Sequence, residues 1–479
     1  MEPDRKIALE AVKIIRERKK GLLLSAAIPG LGQIYERRYL TGFSILTIFT
    51  FPFYYWYLLG FPLNYGSITL GSAQALLYAL QLLDVKKGVK RETSPCEDFC
   101  PAEVKVPSFM ACCEEGKLEE GFGIFFLSSP FPFTLGELCP APCEKKCGIL
   151  PERPLRIREV HREMGRIVLE GLRIKDREPF FPLTDKRVAV IGGGLAGITA
   201  AYYLASAGVQ VDLFEREREL GGLINYIPEF KVNKELVRRE IEYALSFKNI
   251  RIFRETEVKE KPEGYDWTVV SVGAQLENRL EEIEEEEKVI YPLEFLKSPP
   301  DLKGKRLAVI GAGDTALDVA RLGVRLGADV SVFYRGKVDS IRAQEKELSV
   351  AVKEGVKIYT NCAVLGAKEG ELHLSCGDYR YDYIVPAVGF RVNEALVKKL
   401  SGDRTSITGD AATGMTTFVE ACGRARRTAA KVLKKLGLSE RAWFMVDIYR
   451  RKPRRVSGKN LFVVSESSLC QHCGIKVRS

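Results

Sequence analysis

Residues Lys186 to Gly222 read KRVAVIGGGLAGITAAYYLASAGVQVDLFERERELGG, and few stretches limit a chain so tightly. The apolar run Val188 to Ile191 suits a buried parallel strand. Gly192, Gly194 and Gly197 follow in GxGxxG spacing before an alanine-rich helical segment. That order meets three needs: a tight turn, close backbone approach to a pyrophosphate, and close packing of helix on strand at the third glycine. Phosphates then meet unpaired N–H groups at a helix N-terminus. Glu215 closes the next strand, VDLFE, where a carboxylate accepts both ribose hydroxyls and favours a ribose without a 2′-phosphate.

A second copy appears downstream. Leu307 to Ile310 lead into Gly311, Gly313 and Ala316, then a helical segment and the strand VSVFYR. Arg335 stands where the first copy has Glu215. An arginine there suits a 2′-phosphate, so this site reads as built for NADPH. Two such units predict an α/β chain with two Rossmann-like nucleotide-binding domains.

At 479 residues the chain has room for two to four domains. Hydrophobic content of 46% and charged content of 28% describe an ordered protein. The net charge of +10 gathers in the first twenty residues, after Asp84 and in RRKPRR near residue 450. Two of these clusters flank apolar segments, so an anionic membrane surface accounts for them better than nucleic acid does. Seven of the 12 cysteines crowd between Cys96 and Cys147, a pattern of metal binding in a reducing compartment rather than of a secreted disulfide scaffold. The basic start does not read as a cleavable signal peptide.

Residues 1–38 carry Ile7, Leu9, Val12, Ile14 and Ile15 among Lys and Arg, which predicts an amphipathic helix at a membrane interface. Residues 39–90 read as a transmembrane hairpin. Tyr39 to Pro62 is long and apolar enough to span, Ile68 to Val85 is near the lower limit, and Arg37, Arg38, Lys86, Lys87, Lys90 and Arg91 sit outside the pair. By the positive-inside rule, everything after residue 90 is then expected on the cytoplasmic side of a cytoplasmic membrane. The segment AAIPGLGQIYERRYLTGF resembles the PGxGQxY signature of a small family of two-helix membrane modules.

Residues 91–185 begin rich in cysteine. CEDFCP supplies Cys96 and Cys100, and CPAPCEKKC supplies Cys139, Cys143 and Cys147. Thiolates at such spacing can converge on an inorganic cluster, and zinc uses similar spacing. From about Cys96 to Leu436 the chain resembles the small subunit of NADPH-dependent glutamate synthase. It is also similar to the N-terminal half of dihydropyrimidine dehydrogenase and the large subunit of electron-bifurcating ferredoxin:NADP oxidoreductase. CPAPCEKKC, VIGGGLAGITAA, the ELGGL turn with Gly222, IPEFK, VIGAGDTALDVA, VFYR and GDAATGMTTFVEACGRA carry the likeness.

The resemblance implies FAD in the first site, with Asp410 on its ribityl or pyrophosphate and the Thr417 region near the isoalloxazine. It implies NADPH in the second site, and two [4Fe–4S] clusters in a helical domain. It also implies an FAD-binding domain split into two segments, 186–300 and 401–436, around an NAD(P)H-binding domain at 301–400. Lys337 and Arg342 are candidates to assist Arg335, although the family's second arginine is Gly336 here, so NADH stays possible.

The family's run C-x2-C-x4-C-x3-C-P keeps only its last two cysteines, with Gly88 and Arg91 in place of the first two. One or two clusters are therefore expected. The tail, 437–479, carries Cys470 and Cys473 in SSLCQHCGIK. One set would be Cys96, Cys147, Cys470 and Cys473; the other would be Cys100, Cys139, Cys143 and His161, which falls in the register of the family's non-cysteine ligand. The tail pair also suits a dithiol or a zinc half-site, and His161 also suits a charged helix surface. Cys112, Cys113, Cys362, Cys376 and Cys422 read as small core residues.

The expected function is a membrane-anchored, cytoplasm-facing NAD(P)H oxidoreductase that passes electrons through FAD and [4Fe–4S] clusters. The acceptor is a membrane redox complex, a quinone or a ferredoxin. The rivals are a disulfide reductase using the tail CxxC and a non-catalytic assembly subunit.

Overall fold

The computed structural model describes residues 2–27, 44–47, 76, 79, 94–147, 155–284, 287–445, 468–469 and 476–477. The expected membrane hairpin lies almost wholly outside these residues, as do Cys470 and Cys473. Among the described residues, no helix is long and apolar enough to cross a membrane.

The first helix, α1 (Pro3–Ala27), departs from the expectation of an interfacial segment. Ile7, Ala8 and Ala11 have no exposed surface, so its first turns are covered by protein rather than offered to lipid. Asp4 explains the docking. Its carboxylate accepts from Arg177 Nη1 at 2.8 and 2.9 Å, and from the hydroxyls of Tyr202 and Tyr243. The guanidinium of Arg177 also lies over the rings of Tyr243 and Phe247, at 4.0 and 4.3 Å. A single acidic residue thus ties the start of the chain to elements about 200 positions away.

Among the described residues from 94 to 171 lie six helices: α2 (Pro95–Asp98), α3 (Val106–Glu114), α4 (Leu118–Phe126), α5 (Pro132–Leu138), α6 (Pro142–Lys145) and α7 (Ile157–Gly171). Proline opens α2, α3, α5 and α6, where its missing N–H and fixed φ fit the first turn. On α7 the buried set Ile157, Val160, His161, Met164, Val168 and Leu169 has helical spacing and faces α5.

The first sheet is built from β1 (Arg187–Ile191), β2 (Gln210–Phe214), β3 (Ile250–Phe253), β4 (Trp267–Val270) and, far downstream, β14 (Thr405–Ile407). Its order is β14-β4-β1-β2-β3, parallel throughout. Helix α8 (Leu195–Ser206) follows β1 and is buried on every side, as its alanine-rich, largely apolar character requires. Helix α9 (Lys234–Ala244) is capped by Asn233, which accepts from the N–H groups of Glu235 and Leu236.

The chain leaves this unit through β5 (Leu276–Glu277) and returns through β13 (Phe390–Arg391), which pair antiparallel. Between them, after α10 (Pro292–Lys297), lies a second sheet of β6 (Arg306–Ile310), β7 (Asp329–Tyr334), β8 (Lys357–Thr360) and β12 (Tyr383–Pro386). Its order is β12-β6-β7-β8, again parallel, with helices α11 (Asp314–Arg325) and α12 (Glu345–Lys353). A three-stranded meander, β9 (Val364–Lys368), β10 (Glu371–Leu374) and β11 (Gly377–Arg380), completes it. The inserted unit therefore begins near residue 278 and ends near 390, inside the expected limits of 301–400 at its end and ahead of them at its start. Segment 278–300 packs with the second sheet through Val289 and Ile290 on Ile384. Helix α13 (Glu394–Leu400) rejoins the first, where Leu400 packs with Ile191 and Val270. Helices α14 (Asp410–Thr413) and α15 (Phe418–Lys435) end the domain.

Two cysteines expected in the core are instead bonded: Cys362 and Cys376 form a disulfide that ties the end of β8 to the meander. His373 lies on the exposed face of β10 beside Asp378, as its alternation with leucine predicts.

Truncating one member of a buried ion pair strands the other. The variant Asp4→Ala is expected to lose about 3–5 kcal/mol of unfolding free energy in denaturant titration. Asp4→Leu combined with Arg177→Met should recover much of that loss.

Candidate functional site

At the C-terminal edge of the first sheet the GxGxxG loop turns between β1 and α8. Gly192 has φ of +103°, and a Cβ there would stand 2.5 Å from Ser271 O. A Cβ on Gly197 would collide with Gly192 O. By contrast, a Cβ on Gly194 would meet only Gly222 Cα, at 4.0 Å. The tight glycines hold the turn, and the open one leaves room at the head of α8. That space belongs to a cavity of about 490 Å³ walled by Gly192, Gly194, Glu215, Gly222, Asp410 and Phe418, among others.

Glu215 is buried, and its two oxygens accept the N–H groups of Gly193 (2.6 Å) and Glu217 (2.9 Å), which fixes the carboxylate at the strand end. Asp410 enters the cavity from α14, and its Oδ1 accepts from the N–H and hydroxyl of Thr416 at 3.1 and 2.6 Å. Burial raises its carboxyl pKa. The Thr417 hydroxyl is engaged in a capping box with Glu420, so the cavity wall at this point is Phe418 and Ala421 rather than Thr417 itself. The cradle therefore fits a dinucleotide of FAD size, with its phosphates on the N-terminus of α8.

The second loop repeats the pattern. Gly311 has φ of +114° and lies tight against Ala387 O, Ala316 is fully buried, and a Cβ on Gly313 would meet nothing within 4 Å. Arg335, Lys337 and Arg342 stand exposed just beyond β7. Among the described residues none of the three is ion-paired, which leaves them available to a phosphate.

Helices α2 and α6 pack together and gather the thiols. Cys143 lies within electrostatic reach of Cys100, Cys139 and Cys96. Burial pushes the Cys139 thiol up to about 12, opposed by the N–H of Ala141 at 3.4 Å from its sulfur. Backbone N–H groups of Val104, Ala102 and Glu103 act on Cys100. Glu103 and Ala141 both have positive φ, +55° and +51°, so the chain is bent out of its ordinary range where amides meet sulfur. Cys147 is buried at the end of the α6 turn. Among the described residues, no three such side chains close around a single metal ion. A cluster that interposes iron and sulfide between its thiolates fits the donor set better, and N–H···S contacts are among the features that tune one.

His161 is placed differently from both expectations. It is buried in α7 against the rings of Phe109 and Phe125, with Nδ1 at 2.8 Å from Pro132 O. Burial pushes its pKa down to about 4, so the ring is neutral near pH 7. In the tail, β15 (Ser468–Leu469) and β16 (Lys476–Val477) pair antiparallel, and Cys470 and Cys473 fall between them in sequence.

The link between cavity and thiols is α15. Its first turn lines the cavity through Phe418 and Ala421, and two residues later Gly423 meets the chain just past Cys100. A Cβ on Gly423 would stand 2.3 Å from Pro101 O. Arg427 Nη1 donates to Pro101 O (3.1 Å), and Arg426 pairs with Glu103 (3.0 Å). At about 1.5 Å of rise per residue, little more than one turn of helix separates the two sites.

Three functional supports were not anticipated. Glu240, on α9, is wholly buried and accepts the N–H groups of Phe133 (2.7 Å) and Thr134 (2.9 Å), capping α5 just ahead of Cys139. Burial pushes its carboxyl up to about 8. Lys231 of the IPEFK segment reaches Asp318 of α11 at 2.8 Å, and Phe230 lies under Arg321 and Arg325. Arg158 touches both the thiol region and the second nucleotide unit. A lysine after an aromatic was a visible signal for the second of these; single charges on helices offered none.

Residues 186–411 match the family described as pyridine nucleotide-disulphide oxidoreductase. Residues 83–170 match dihydropyrimidine dehydrogenase domain II with its 4Fe-4S cluster. The glutamate synthase [NADPH] small chain of Escherichia coli is 30% identical over 57% of this chain and 63% of its own length. The NADP(+)-dependent formate dehydrogenase subunit beta of Moorella thermoacetica is 29% identical over 58% of this chain and 45% of its own. The NADPH-Fe(3+) oxidoreductase subunit beta of Geobacter sulfurreducens is 28% identical over 57% and 43%. The matched part thus spans 43% to 63% of these relatives' lengths. Joined to the two glycine cradles and the thiol nest, these matches describe an oxidoreductase whose residues 186–411 are similar to the pyridine nucleotide-disulphide family, with FAD and NAD(P) sites and a preceding 4Fe-4S domain.

Proposed function

We propose that this chain is a membrane-anchored, cytoplasm-facing electron-transfer enzyme that takes hydride from NADPH and delivers single electrons to an acceptor on another protein or a quinone. The observation that carries this reading is the shared helix: Phe418 and Ala421 line the first cradle, and Gly423 abuts Pro101 little more than one turn beyond Phe418. FAD, when bound, supplies the exchange of a two-electron hydride for single electrons, and cluster iron supplies the one-electron carrier. The protein's part is placement. Gly194 leaves the pyrophosphate its room, Glu215 is oriented toward a ribose, and Asp410 is held by Thr416 at the cavity wall.

Cys96, Cys100, Cys139 and Cys143 are the natural ligands of one cluster in this reading. A second cluster would draw on Cys147, Cys470 and Cys473, and an iron assay tests it. About eight iron atoms per chain are expected with the tail present and about four after Cys470→Ser and Cys473→Ser. About four in the unaltered protein would exclude the second site. Arg335, supported by Lys337 and Arg342, is proposed to read the 2′-phosphate. Arg335→Ala should raise KM for NADPH about ten-fold and leave that for NADH nearly unchanged, a loss of about 1.4 kcal/mol. Equal effects on both nucleotides would refute the assignment.

Anaerobic NADPH titration tests the reading as a whole. Flavin bleaching followed by cluster reduction is expected; protein that holds flavin and iron yet does not bleach overturns it. In Gly423→Val the added carbons meet Pro101 O, so bleaching should persist while cluster reduction slows about ten-fold or more. Helix propensity alone favours the substitution over glycine by only a few tenths of a kcal/mol, too little to offset such a clash.

A further inference from the structure

Arg158 opens α7 and is held at its backbone, where its N–H donates to Glu144 Oε1 at 2.7 Å, beside Cys143. Only the guanidinium end is left to respond to its surroundings. Its Nη1 donates to the carbonyl of Cys139 at 2.8 Å and to Gln344 Oε1 at 3.3 Å. Gln344 belongs to the second nucleotide unit, just ahead of α12, and its own backbone is laid on the phosphate loop. Its N–H donates to Asp314 Oδ1 at 3.2 Å, and the N–H of Ala343 donates to Ala312 O at 3.3 Å, between Gly311 and Gly313. The path from the open head of α11 to a thiol-bearing residue is thus Asp314, Gln344, Arg158, Cys139.

The surrounding contacts keep this path from being dissipated by drift of one unit against the other. Lys231 bridges to Asp318 and, at 3.7 Å, to Glu347, while Arg321 holds Glu347 and Glu354. Helices α11 and α12 are therefore pinned to the first domain on one side, and Arg158 meets the same unit from the helical module.

Resting on the reading above, we propose that Arg158 is a positioning residue that couples nucleotide occupancy to the electron affinity of the iron–sulfur centre. Phosphates arriving at Gly313 bring negative charge beside the Asp314 carboxylate. The repulsion shifts the Ala343–Gln344 segment and loosens the longer of the two bonds that Arg158 Nη1 makes. The guanidinium then serves the Cys139 carbonyl alone, and its positive charge favours the reduced centre. By linkage, a reduced centre binds nucleotide more tightly by the same factor.

The test uses the full-length, cofactor-loaded protein and 2′-phospho-ADP-ribose, a nucleotide fragment without the reactive ring. Its Kd is measured for the oxidised and the dithionite-reduced protein. The expected ratio is on the order of five-fold in favour of the reduced form. The cluster midpoint should rise correspondingly, by about 40 mV, when the fragment is bound. In Gln344→Ala, which leaves every cysteine in place, the ratio should fall to one; Arg158→Lys should give the same loss while keeping the charge. A ratio of one in the unaltered protein, or an undiminished ratio in Gln344→Ala, overturns the proposal. Protein that holds iron and flavin and bleaches with NADPH but shows no ratio defeats this coupling alone, whereas loaded protein that fails to bleach defeats the electron-transfer reading beneath it.

Discussion

The close approach of α15 to the backbone at Pro101 is the constraint on which the remaining architecture depends. A helix can lie against a peptide bond only where it carries no side chain, and Gly423 is that position. Arg426 and Arg427 flank it and bind Ala102 O, Pro101 O and Glu103, so the contact is held by hydrogen bonds as well as by shape. Because the same helix begins at the wall of the first cradle, thiols and cavity stand in a fixed relation that no loop motion is needed to establish. The helical module and the first sheet accordingly share one continuous core, running from Ile7 to Phe444, while the inserted unit has cores of its own.

Several of the joints in this arrangement are buried charges, which makes them poor sources of net stability and good sources of specificity. Asp4 with Arg177 and Lys231 with Asp318 each bury a charge that a wrong packing would leave stranded. Replacing such pairs by well-packed apolar residues is often neutral, whereas removing one partner is costly, so each pair penalises a wrong docking more than it strengthens the right one. Glu240 fixes a docking in the same way without carrying a full charge near pH 7. Desolvation drives its proton affinity up, yet two N–H groups are aimed at it, and these fix α5 and with it the start of the CPAPC turn.

The features legible in the sequence are those whose physics is local. The positive φ of Gly192 and Gly311 and the contact of Gly197 with Gly192 O arise within a few residues, and strand, turn and helix announce themselves by period. The return of β14 to the first sheet follows from motif order, since GDAAT comes after the second nucleotide unit. What the sequence conceals depends on partners far away in the chain. Asp4 reads as a solvated charge until Arg177 is brought to it, Glu240 lies 107 residues from Phe133, and Cys362 and Cys376 look scattered because they are joined only across the meander. The basic amphipathic start misleads for the same reason: Ile7, Ala8 and Ala11 make an apolar stripe, and a stripe does not say whether lipid or protein covers it.

The inserted unit is joined to its host by only two covalent crossings, the short strands β5 and β13. A two-stranded link sets position but leaves orientation about its axis poorly defined, and hydride transfer between two bound nucleotides is acutely sensitive to orientation. The side-chain bridges resolve this. Phe230 and Lys231 grip α11 from the first domain, and Arg158, from the helical module, holds Gln344, which is itself bonded to Asp314 at the head of that helix. With the strand link these make three points of attachment, the smallest number that fixes a rigid body. The IPEFK segment is therefore best understood as a mechanical feature: its aromatic ring and its ammonium group are committed to the neighbouring unit's helix, and the alignment of the two cradles follows from where that helix is made to stand.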